Sequence, residues 1–331
     1  MTPDVPIHIV ARRNVQRDEW ERVCRACSYA TFFHTPIWAD IFAQATGGRM
    51  VPAAETIQFS DNVTAVLPLV FSKYPGNILR VYWSMPANTF GGWVSADSLT
   101  PAHAQQLVAH LKNISNLVWR ENPYDPLLGS ITIGHTLDDF TQAIDLRQGF
   151  AAAKALSDYS HRRAVRTAID NGVSVAEASN FEQWESYFAL YRASRERWKE
   201  NNLLHGRGYD MPLLKAIYES PADHRKLWLA QVNGAPVAGT LCFYWNRHVV
   251  SWSSAGNAGF FKKFRPNDLL IDHIVRNAAD AGYDWYDCNP SAGLKGVIEF
   301  KEHSGAQKMR SRVLNNRSLL RRVAELARGI F

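Results

Sequence analysis

The run LWLAQVNGAPVAGTLCFYW, residues 227–245, decides the fold class, because it contains the strongest short hairpin signal in the chain. Two apolar segments meet at Asn233-Gly234, a pair that favours the tight turn of a β-hairpin. Residues 249–254 predict a third strand that pairs next to the hairpin. Together these segments predict a three-stranded antiparallel meander in the second half of the chain.

The elements predicted around this meander recur in the first half of the chain. Each half has a strand, two helices, a three-strand meander, a helix and a final strand, and corresponding meander strands lie about 170 residues apart. The second half has these elements at residues 173–178, 181–199, 211–219, 227–254, 267–282 and 285–288. The first half has them at residues 7–11, 18–29, 36–45, 50–84, 101–112 and 115–119. Its meander strands are expected at residues 50–59, 63–71 and 78–84, with a turn at residues 75–77. A duplicated α+β unit explains this order better than two unrelated domains.

The predicted organisation is therefore an α/β protein with mixed sheets and two tandem units. We expect a first unit at residues 1–145 and a second unit at residues 146–306. Residues 307–331 contain seven Lys or Arg and one acidic residue, with apolar positions on one helical face. This predicts a basic C-terminal helix that packs on the body, and a helix lying on an anionic membrane is the alternative.

Composition indicates a globular cytoplasmic protein. The chain has 331 residues, of which 46% are hydrophobic and 21% charged, enough apolar material for two cores. We find no run of eighteen apolar residues and no signal-peptide pattern at the start. Four cysteines fit a reducing compartment, and we expect the Cys24 and Cys27 pair to be half-buried in a helix rather than to bind a metal.

The net charge of +6 is unevenly distributed. Residues 1–150 have 11 Lys or Arg against 13 Asp or Glu, and the remainder has 26 against 18. The excess positive charge of the second half suggests a polyanionic or phosphate-bearing ligand, with a solvated basic face as the alternative.

Several short segments, in the right order, resemble the FemAB-type transferases, which are built from two tandem units of the GNAT acyltransferase fold. In the second half the similar segments are residues 160–168, 172–173, 181–191, 195–198, 266–270, 282–287 and 300–306. In the first half they are residues 32–38, 67–69 and 90–92. The resemblance covers nearly the whole chain, although each motif is short and degenerate.

The resemblance implies transfer of an aminoacyl or acyl group to an amine or hydroxyl. FemAB-type enzymes attach amino acids from aminoacyl-tRNA to a peptidoglycan precursor, and relatives serve exopolysaccharide systems or other acylations. Such chemistry needs a stabilised oxyanion. The chain departs from ordinary acetyltransferases because residues 254–269 contain only two glycines, Gly256 and Gly259, so the expected cradle for coenzyme A pyrophosphate is weak.

Two residues are candidates for catalysis. The resemblance assigns Lys301, in the matching Phe-Lys segment, to stabilise the oxyanion, and the alternative is a surface lysine beside Glu299 and Glu302. Asp287 ends a predicted strand and could accept the amine proton or orient a neighbour. A turn aspartate that bonds the backbone near Asn289 is the other interpretation.

Six further residues are candidates for substrate binding. Arg197, Arg207 and Tyr209 match, loosely, the family's region that holds acceptor phosphates, for which the arginine fork is suited. Trp252 could line the cleft or belong to the core. Ser291 is a possible donor to the carbonyl, and Phe300 is a stacking surface or, more simply, a core residue.

The sequence therefore predicts an acyltransferase without a metal or a tightly bound cofactor, whose donor is either aminoacyl-tRNA or acyl-CoA. The acceptor could be a peptidoglycan or other cell-wall precursor, an exopolysaccharide intermediate or a small molecule. Basic residues such as Arg163 and Lys262 could contact tRNA through its backbone. We expect no DNA partner and find no hydrolase, metalloprotease or kinase motif. The rival hypothesis is a catalytically silent scaffold that keeps the tandem fold and contacts an anionic membrane through its basic tail.

Overall fold

The computed structural model describes residues 6–73, 80–132, 136–201 and 208–316, which form two compact units. One unit consists of residues 1–139 with 310–331, and the other of residues 140–309. Both combine helices with mixed sheets, which confirms the predicted α/β class.

The first unit has strands and helices in the predicted order. Up to its last helix they are β1 (Ile9–Asn14), α1 (Arg17–Ala26), α2 (Pro36–Ala45), β2 (Met50–Pro52), β3 (Glu55–Phe59), β4 (Thr64–Leu67), β5 (Val70–Lys73), β6 (Arg80–Trp83) and α3 (Pro101–Asn113). Then follow β7 (Leu117–Arg120) and β8 (Thr136–Leu137).

The second unit begins at β9 (Phe140–Asp145). Its further elements are α4 (Gly149–Leu156), α5 (Tyr159–Asp170), β10 (Ser174–Glu177), α6 (Phe181–Glu200), α7 (Met211–Glu219), β11 (Arg225–Val232), β12 (Ala235–Trp245), β13 (His248–Gly256), α8 (Ala258–Phe264), α9 (Pro266–Asp280), β14 (Trp285–Asp287), α10 (Lys295–His303) and β15 (Gln307–Arg310). Strand β16 (Val313–Asn315) returns to a sheet of the first unit.

The predicted hairpin forms the centre of the second unit. Val232 pairs with Ala235 across the turn, where Asn233 and Gly234 have φ of 49° and 78°. Such left-handed backbone is what a two-residue hairpin turn requires. The full sheet has seven strands in the order β10-β11-β12-β13-β14-β9-β15. A core that includes Trp228, Ile274 and Tyr286 packs one face of this sheet against α9.

The corresponding meander of the first unit is split between two sheets. We expected single strands at residues 50–59 and 63–71, and the structure breaks both. Strands β3 and β4 join β1 in a three-stranded sheet, whereas β2 and β5 join a six-stranded sheet in the order β2-β5-β6-β7-β16-β8. Pro52 ends β2 and Pro68 separates β4 from β5, because proline has no N–H for the ladder. The turn expected at residues 75–77 lies outside the described residues.

Two predicted boundaries differ from the structure. The first unit ends at residue 139 rather than 145, because β9 pairs antiparallel with β14 inside the second sheet. The C-terminal segment does not begin as a helix at residue 307, since Gln307–Arg310 and Val313–Asn315 are strands. Sheet pairing satisfies their backbone groups, as in β16, which pairs with β7. The rest of the predicted helix, residues 317–331, lies outside the described part of the chain.

Candidate functional site

The sheet of the second unit opens between β13 and β14. These strands pair in parallel from His248 with Trp285 to Val250 with Asp287. Beyond that point β13 continues to Gly256 without β14 beside it. The chain that follows β14 stays paired with β9 instead, since the Cys288 N–H donates to the Gln142 carbonyl at 2.8 Å. A widening gap therefore begins at Val250 and Asp287, so their neighbours can contact a ligand.

A β-bulge in β13 marks the same place. Cys242 of β12 pairs with Ser251 and Leu241 pairs with Ser253, so Trp252 has no opposite residue. A bulge bends its strand and re-aims side chains, and such bulges are common beside active sites. Here the side chains of Trp252 and Ser253 both contact Tyr209.

Lys301 lies in a polar cluster next to this opening. Its side chain is only 8% exposed, and Nζ donates to the Asn289 carbonyl at 2.6 Å and to Ser291 Oγ at 2.7 Å. Helix α10 presents the lysine, and the loop after β14 supplies both oxygens. The alternative of a surface lysine is therefore wrong. Burial removes the ammonium from water. In this less polar environment its charge acts more strongly on nearby groups.

Sequence reasoning missed Thr141 and Gln142 in β9. Both are buried, and Gln142 accepts from Ser291 Oγ at 3.2 Å while it donates to the Ile298 carbonyl of α10 at 3.0 Å. Gln142 thus links the serine beside Lys301 to the helix that carries Lys301. Two consecutive polar residues between the apolar Phe140 and Ala143 of this strand were the available signal.

Asp287 is fully buried and braces the loop. Its Oδ1 accepts from Thr141 Oγ1 at 2.6 Å and from the Asn289 N–H at 2.6 Å. The second contact is the turn interaction that we considered as an alternative. Because Asn289 also provides the carbonyl for Lys301, the aspartate fixes the backbone that holds the lysine.

Tyr209 and Trp252 form part of an aromatic cluster on the other side of the opening. Tyr209 stacks on Tyr191 with ring centroids 3.8 Å apart and lies 5.0 Å from Trp252. Its hydroxyl lies 2.9 Å from Ser253 Oγ and donates to the hydroxyl of Tyr187 at 3.2 Å. Burial raises the pKa of both Tyr187 and Tyr209, so both phenols stay protonated at neutral pH.

The remaining predicted site residues have other surroundings. Arg197 donates to the Gly256 carbonyl at 3.2 Å and its guanidinium lies over Phe261, so it holds the end of β13. Phe300 packs against the core, as its simpler interpretation held. Arg207 lies outside the described residues.

Cys288 adjoins the polar cluster as a buried thiol. Burial raises the pKa of Cys288 to about 12, although the charge of Lys301 opposes the shift, so the thiol is not a thiolate nucleophile at neutral pH. Among the described residues, no three His, Cys, Asp or Glu side chains cluster as metal ligands would. Within the same ranges no helix has the length and apolar character needed to cross a bilayer.

The N-terminus of α9 lies downstream of the opening and is occupied by the protein itself. Arg265, just before the helix, has left-handed backbone with φ of 50°, and its Nε lies 3.2 Å from Asp268 Oδ2. The other oxygen of this buried carboxylate accepts from His161 Nδ1 at 3.3 Å. A carboxylate in the first turn repels a pyrophosphate, so this terminus is a poor phosphate cradle.

Comparison with known proteins identifies the second unit. Residues 156–302 match the acetyltransferase (GNAT) domain family. The structure of FemX is similar over 96% of this chain and 99% of that chain, with a TM-score of 0.67 and 12% identity. No curated protein sequence matches the chain.

Two further structures are also similar. The C-terminal domain of a putative lysylphosphatidylglycerol synthetase from Agrobacterium fabrum has a TM-score of 0.51, 11% identity, and coverage of 83% of this chain and 87% of that chain. The L-PGS structure from Bacillus licheniformis has the same TM-score and identity, with coverage of 84% and 89%. These likenesses confirm the tandem GNAT-like fold that the sequence predicted.

Proposed function

Because residues 156–302 form an acetyltransferase (GNAT) domain within a FemX-like fold, we propose that the chain transfers an acyl or aminoacyl group to an amine or hydroxyl acceptor. The observation that carries this proposal is the buried Lys301 ammonium, held by Asn289 and Ser291 beside the opening between β13 and β14. A fixed cation in a site shielded from water suits a reaction that develops negative charge on oxygen.

In the proposed reaction the acceptor's lone pair forms a bond to the donor's carbonyl carbon, and the C=O π electrons move to oxygen. Collapse of this oxyanion breaks the ester or thioester bond, and the proton from the acceptor ends on the departing oxygen or sulfur. Lys301 stabilises the oxyanion, since its position is set before the reaction begins. Ser291, Asp287 and Gln142 keep it there.

The acceptor or the acyl chain lies against Tyr209 and Trp252. Their rings present an apolar surface, and the contacts of the Tyr209 hydroxyl with Tyr187 and Ser253 hold its ring in place. Such surfaces suit sugars, nucleobases or acyl chains equally. The Asp268 carboxylate already occupies the N-terminus of α9 and pairs with Arg265, which favours a donor that places no pyrophosphate there and so supports an aminoacyl ester over coenzyme A.

Relatives suggest which acceptors to test. The printed names of the similar structures include FemX and lysylphosphatidylglycerol synthetase. We therefore propose a cell-wall precursor as the first acceptor and a phospholipid as the second.

The test has two stages. Thermal unfolding of the full chain is measured with acetyl-CoA, longer acyl-CoAs, bulk aminoacyl-tRNA and UDP-linked wall precursors, because a ligand that binds only the folded state raises the melting temperature. Pairs that stabilise the protein are then incubated together, and the product mass is measured for wild type and for Lys301→Met. We expect a covalent product whose formation depends on Lys301.

Each outcome decides between hypotheses. A product with aminoacyl-tRNA but not with acyl-CoA supports aminoacyl transfer. A product with acyl-CoA identifies ordinary acylation and contradicts the assignment of the donor. Equal product with the Lys301→Met variant contradicts the role of Lys301. Binding without any product, combined with intact cellular function of that variant, favours the non-catalytic scaffold.

A further inference from the structure

Exposed apolar side chains concentrate at one place in the second unit. Six large hydrophobic residues are well exposed in the described part of the chain, and three of them lie within fourteen residues. These are Leu156 at the end of α4, and Tyr159 and Ile169 in α5, which are 51%, 65% and 57% exposed. Single exposed apolar residues need no explanation, but a group of them marks an interaction surface.

Basic residues surround this group. Arg163 follows Tyr159 by four positions and Arg166 follows it by seven, so both share its face of α5. Helix α8 contacts α5, and the Asn171 side chain that follows α5 donates to the Lys263 carbonyl at 3.0 Å. The exposed Lys262 and Lys263 thereby join the same region.

These four cations are not neutralised nearby. Within the described ranges, none of Arg163, Arg166, Lys262 and Lys263 forms an ion pair with a carboxylate, whereas many other exposed basic residues of the chain do, such as Arg13 with Glu19. Asp170 is the one acidic residue at the exposed end of α5. The surface therefore keeps a net positive charge of about three beside its apolar side chains.

We propose that this surface, formed by Leu156, α5 and α8, docks the protein on an anionic lipid surface. Cations attract anionic headgroups, and exposed Tyr, Leu and Ile side chains beside them enter the boundary between headgroups and acyl chains. This docking is separate from the transfer reaction and does not depend on it.

The apolar residues favour a lipid over an RNA. RNA binding uses cations on the phosphate backbone and aromatic rings on bases, and exposed aliphatic side chains add nothing to either contact. Leu156 and Ile169 contribute to binding only if the partner has an apolar layer beneath a charged surface, as a lipid bilayer does. The cations alone would not distinguish the two partners.

The test measures binding of the full chain to vesicles by sedimentation. One vesicle type is phosphatidylcholine, and the other is phosphatidylcholine mixed with phosphatidylglycerol. We expect binding to the mixed vesicles only, weakening as salt is added. Lys262→Glu with Lys263→Glu should reduce the apparent affinity by more than about thirtyfold, because the loss of each basic residue near an anionic surface costs about fivefold and each added carboxylate is repelled. Leu156→Ser with Ile169→Ser should reduce it without changing the net charge.

A matched control separates this surface from general charge. Lys112→Glu with Lys215→Glu changes the net charge equally at two exposed positions elsewhere, and it should retain at least most of the binding. The proposal is wrong if the control weakens vesicle binding as much as the surface variants. It is also wrong if Leu156→Ser with Ile169→Ser binds vesicles like wild type while Lys262→Glu with Lys263→Glu no longer binds bulk tRNA. That pair of results would mean that the surface binds RNA. None of these measurements requires transfer activity.

Discussion

The two units open their sheets at corresponding places, and different residues lie at the two openings. In the first unit β6 and β7 pair in parallel over Tyr82 with Leu117 and Trp83 with Val118. The chain after β6 then fills the space. Ser84 donates its N–H to the Val118 carbonyl at 2.8 Å and its Oγ accepts from the Arg120 N–H, and the Gly91 N–H donates to the Arg120 carbonyl at 3.0 Å.

The filling segment, residues 84–92, is tightly packed. A Cβ added at Gly91 would lie 2.0 Å from Ser84 Cβ. His34 fastens the segment from the other side, because its Nε2 donates to the Gly91 carbonyl at 2.8 Å while its Nδ1 accepts from the Thr31 N–H. The same topological feature is thus filled by a packed segment in one unit and bordered by the polar cluster of Lys301 in the other. Variants in the first should change stability, and variants in the second should change chemistry.

The largest effect is expected from Lys301→Met. Methionine has a similar length but no charge, so the oxyanion loses its stabilising cation. We expect the rate of transfer to fall about 100- to 1,000-fold, the range seen when one oxyanion donor is removed. The measurement is kcat with saturating donor, beside the melting temperature of the same variant.

Lys301→Arg is the control for charge. It keeps the cation with a different shape, so it should retain more activity than the methionine variant. A normal kcat for Lys301→Met would contradict the difference drawn between the two units. The polar site of the second unit would then only stabilise the fold, as residues 84–92 do in the first.

Gly91→Ala should have the next largest effect, and it should act on stability. The methyl group has no space beside Ser84, so we expect a loss of about 3 kcal/mol and a melting temperature lower by roughly 10 °C. Gly129→Ala is the matched control in the same unit, since a Cβ there meets nothing within 4 Å. Equal melting temperatures for the two variants would show that residues 84–92 are not tightly packed.

His34 should make the stability of the first unit sensitive to acid. Burial lowers its pKa to about 4, from an ordinary value near 6.5, so the unfolded chain binds the proton first. Stability from His34 is therefore complete above about pH 6.5 and is lost as the pH falls toward 4, by about 3 kcal/mol in total.

Urea unfolding of wild type and His34→Gln across this pH range checks that effect. Burial also raises the pKa of Asp125 to about 6, and this carboxyl changes the stability of both proteins in the opposite direction. Subtracting the unfolding free energy of the variant from that of wild type cancels the Asp125 contribution and leaves that of His34. The stability advantage of wild type should shrink as the pH falls. A constant difference would mean that the histidine is not held neutral.

The smallest effect is expected from Gln142→Leu. Leucine removes the contact to Ser291 and the contact to the Ile298 carbonyl, which leaves Lys301 charged but less well positioned. We expect kcat to fall about tenfold with KM nearly unchanged. In the Lys301→Met background the same substitution should cause almost no further loss of rate. Additive losses would show that Gln142 does not act through the lysine.

Local patterns in the sequence were sufficient for the duplicated element order. The Asn233-Gly234 turn is determined by two neighbouring residues, and it was predicted correctly. The split of the first meander between two sheets was not predicted. The period of apolar residues identifies a strand, but it does not identify the sheet that the strand joins. Pro52 and Pro68 were visible, but nothing local states that a strand ends there and resumes in another sheet.

The site was predictable only in part for the same reason. Lys301 and Asp287 came from a resemblance in short motifs, and the structure places both in one polar network. Gln142 lies about 160 residues earlier in the chain and meets them only because β9 crosses into the second sheet. Such a contact depends on sheet order, which residue patterns do not specify.

Hydrogen–deuterium exchange with a bound donor tests the central claim most directly. The full chain is compared alone, with acetyl-CoA and with bulk aminoacyl-tRNA, and peptides from both openings are followed. The account predicts that a bound donor protects residues 251–256 and 287–303 and leaves residues 84–92 unchanged, since those are already packed. Protection of residues 84–92 without protection of residues 287–303 would place the donor in the first unit and contradict the account.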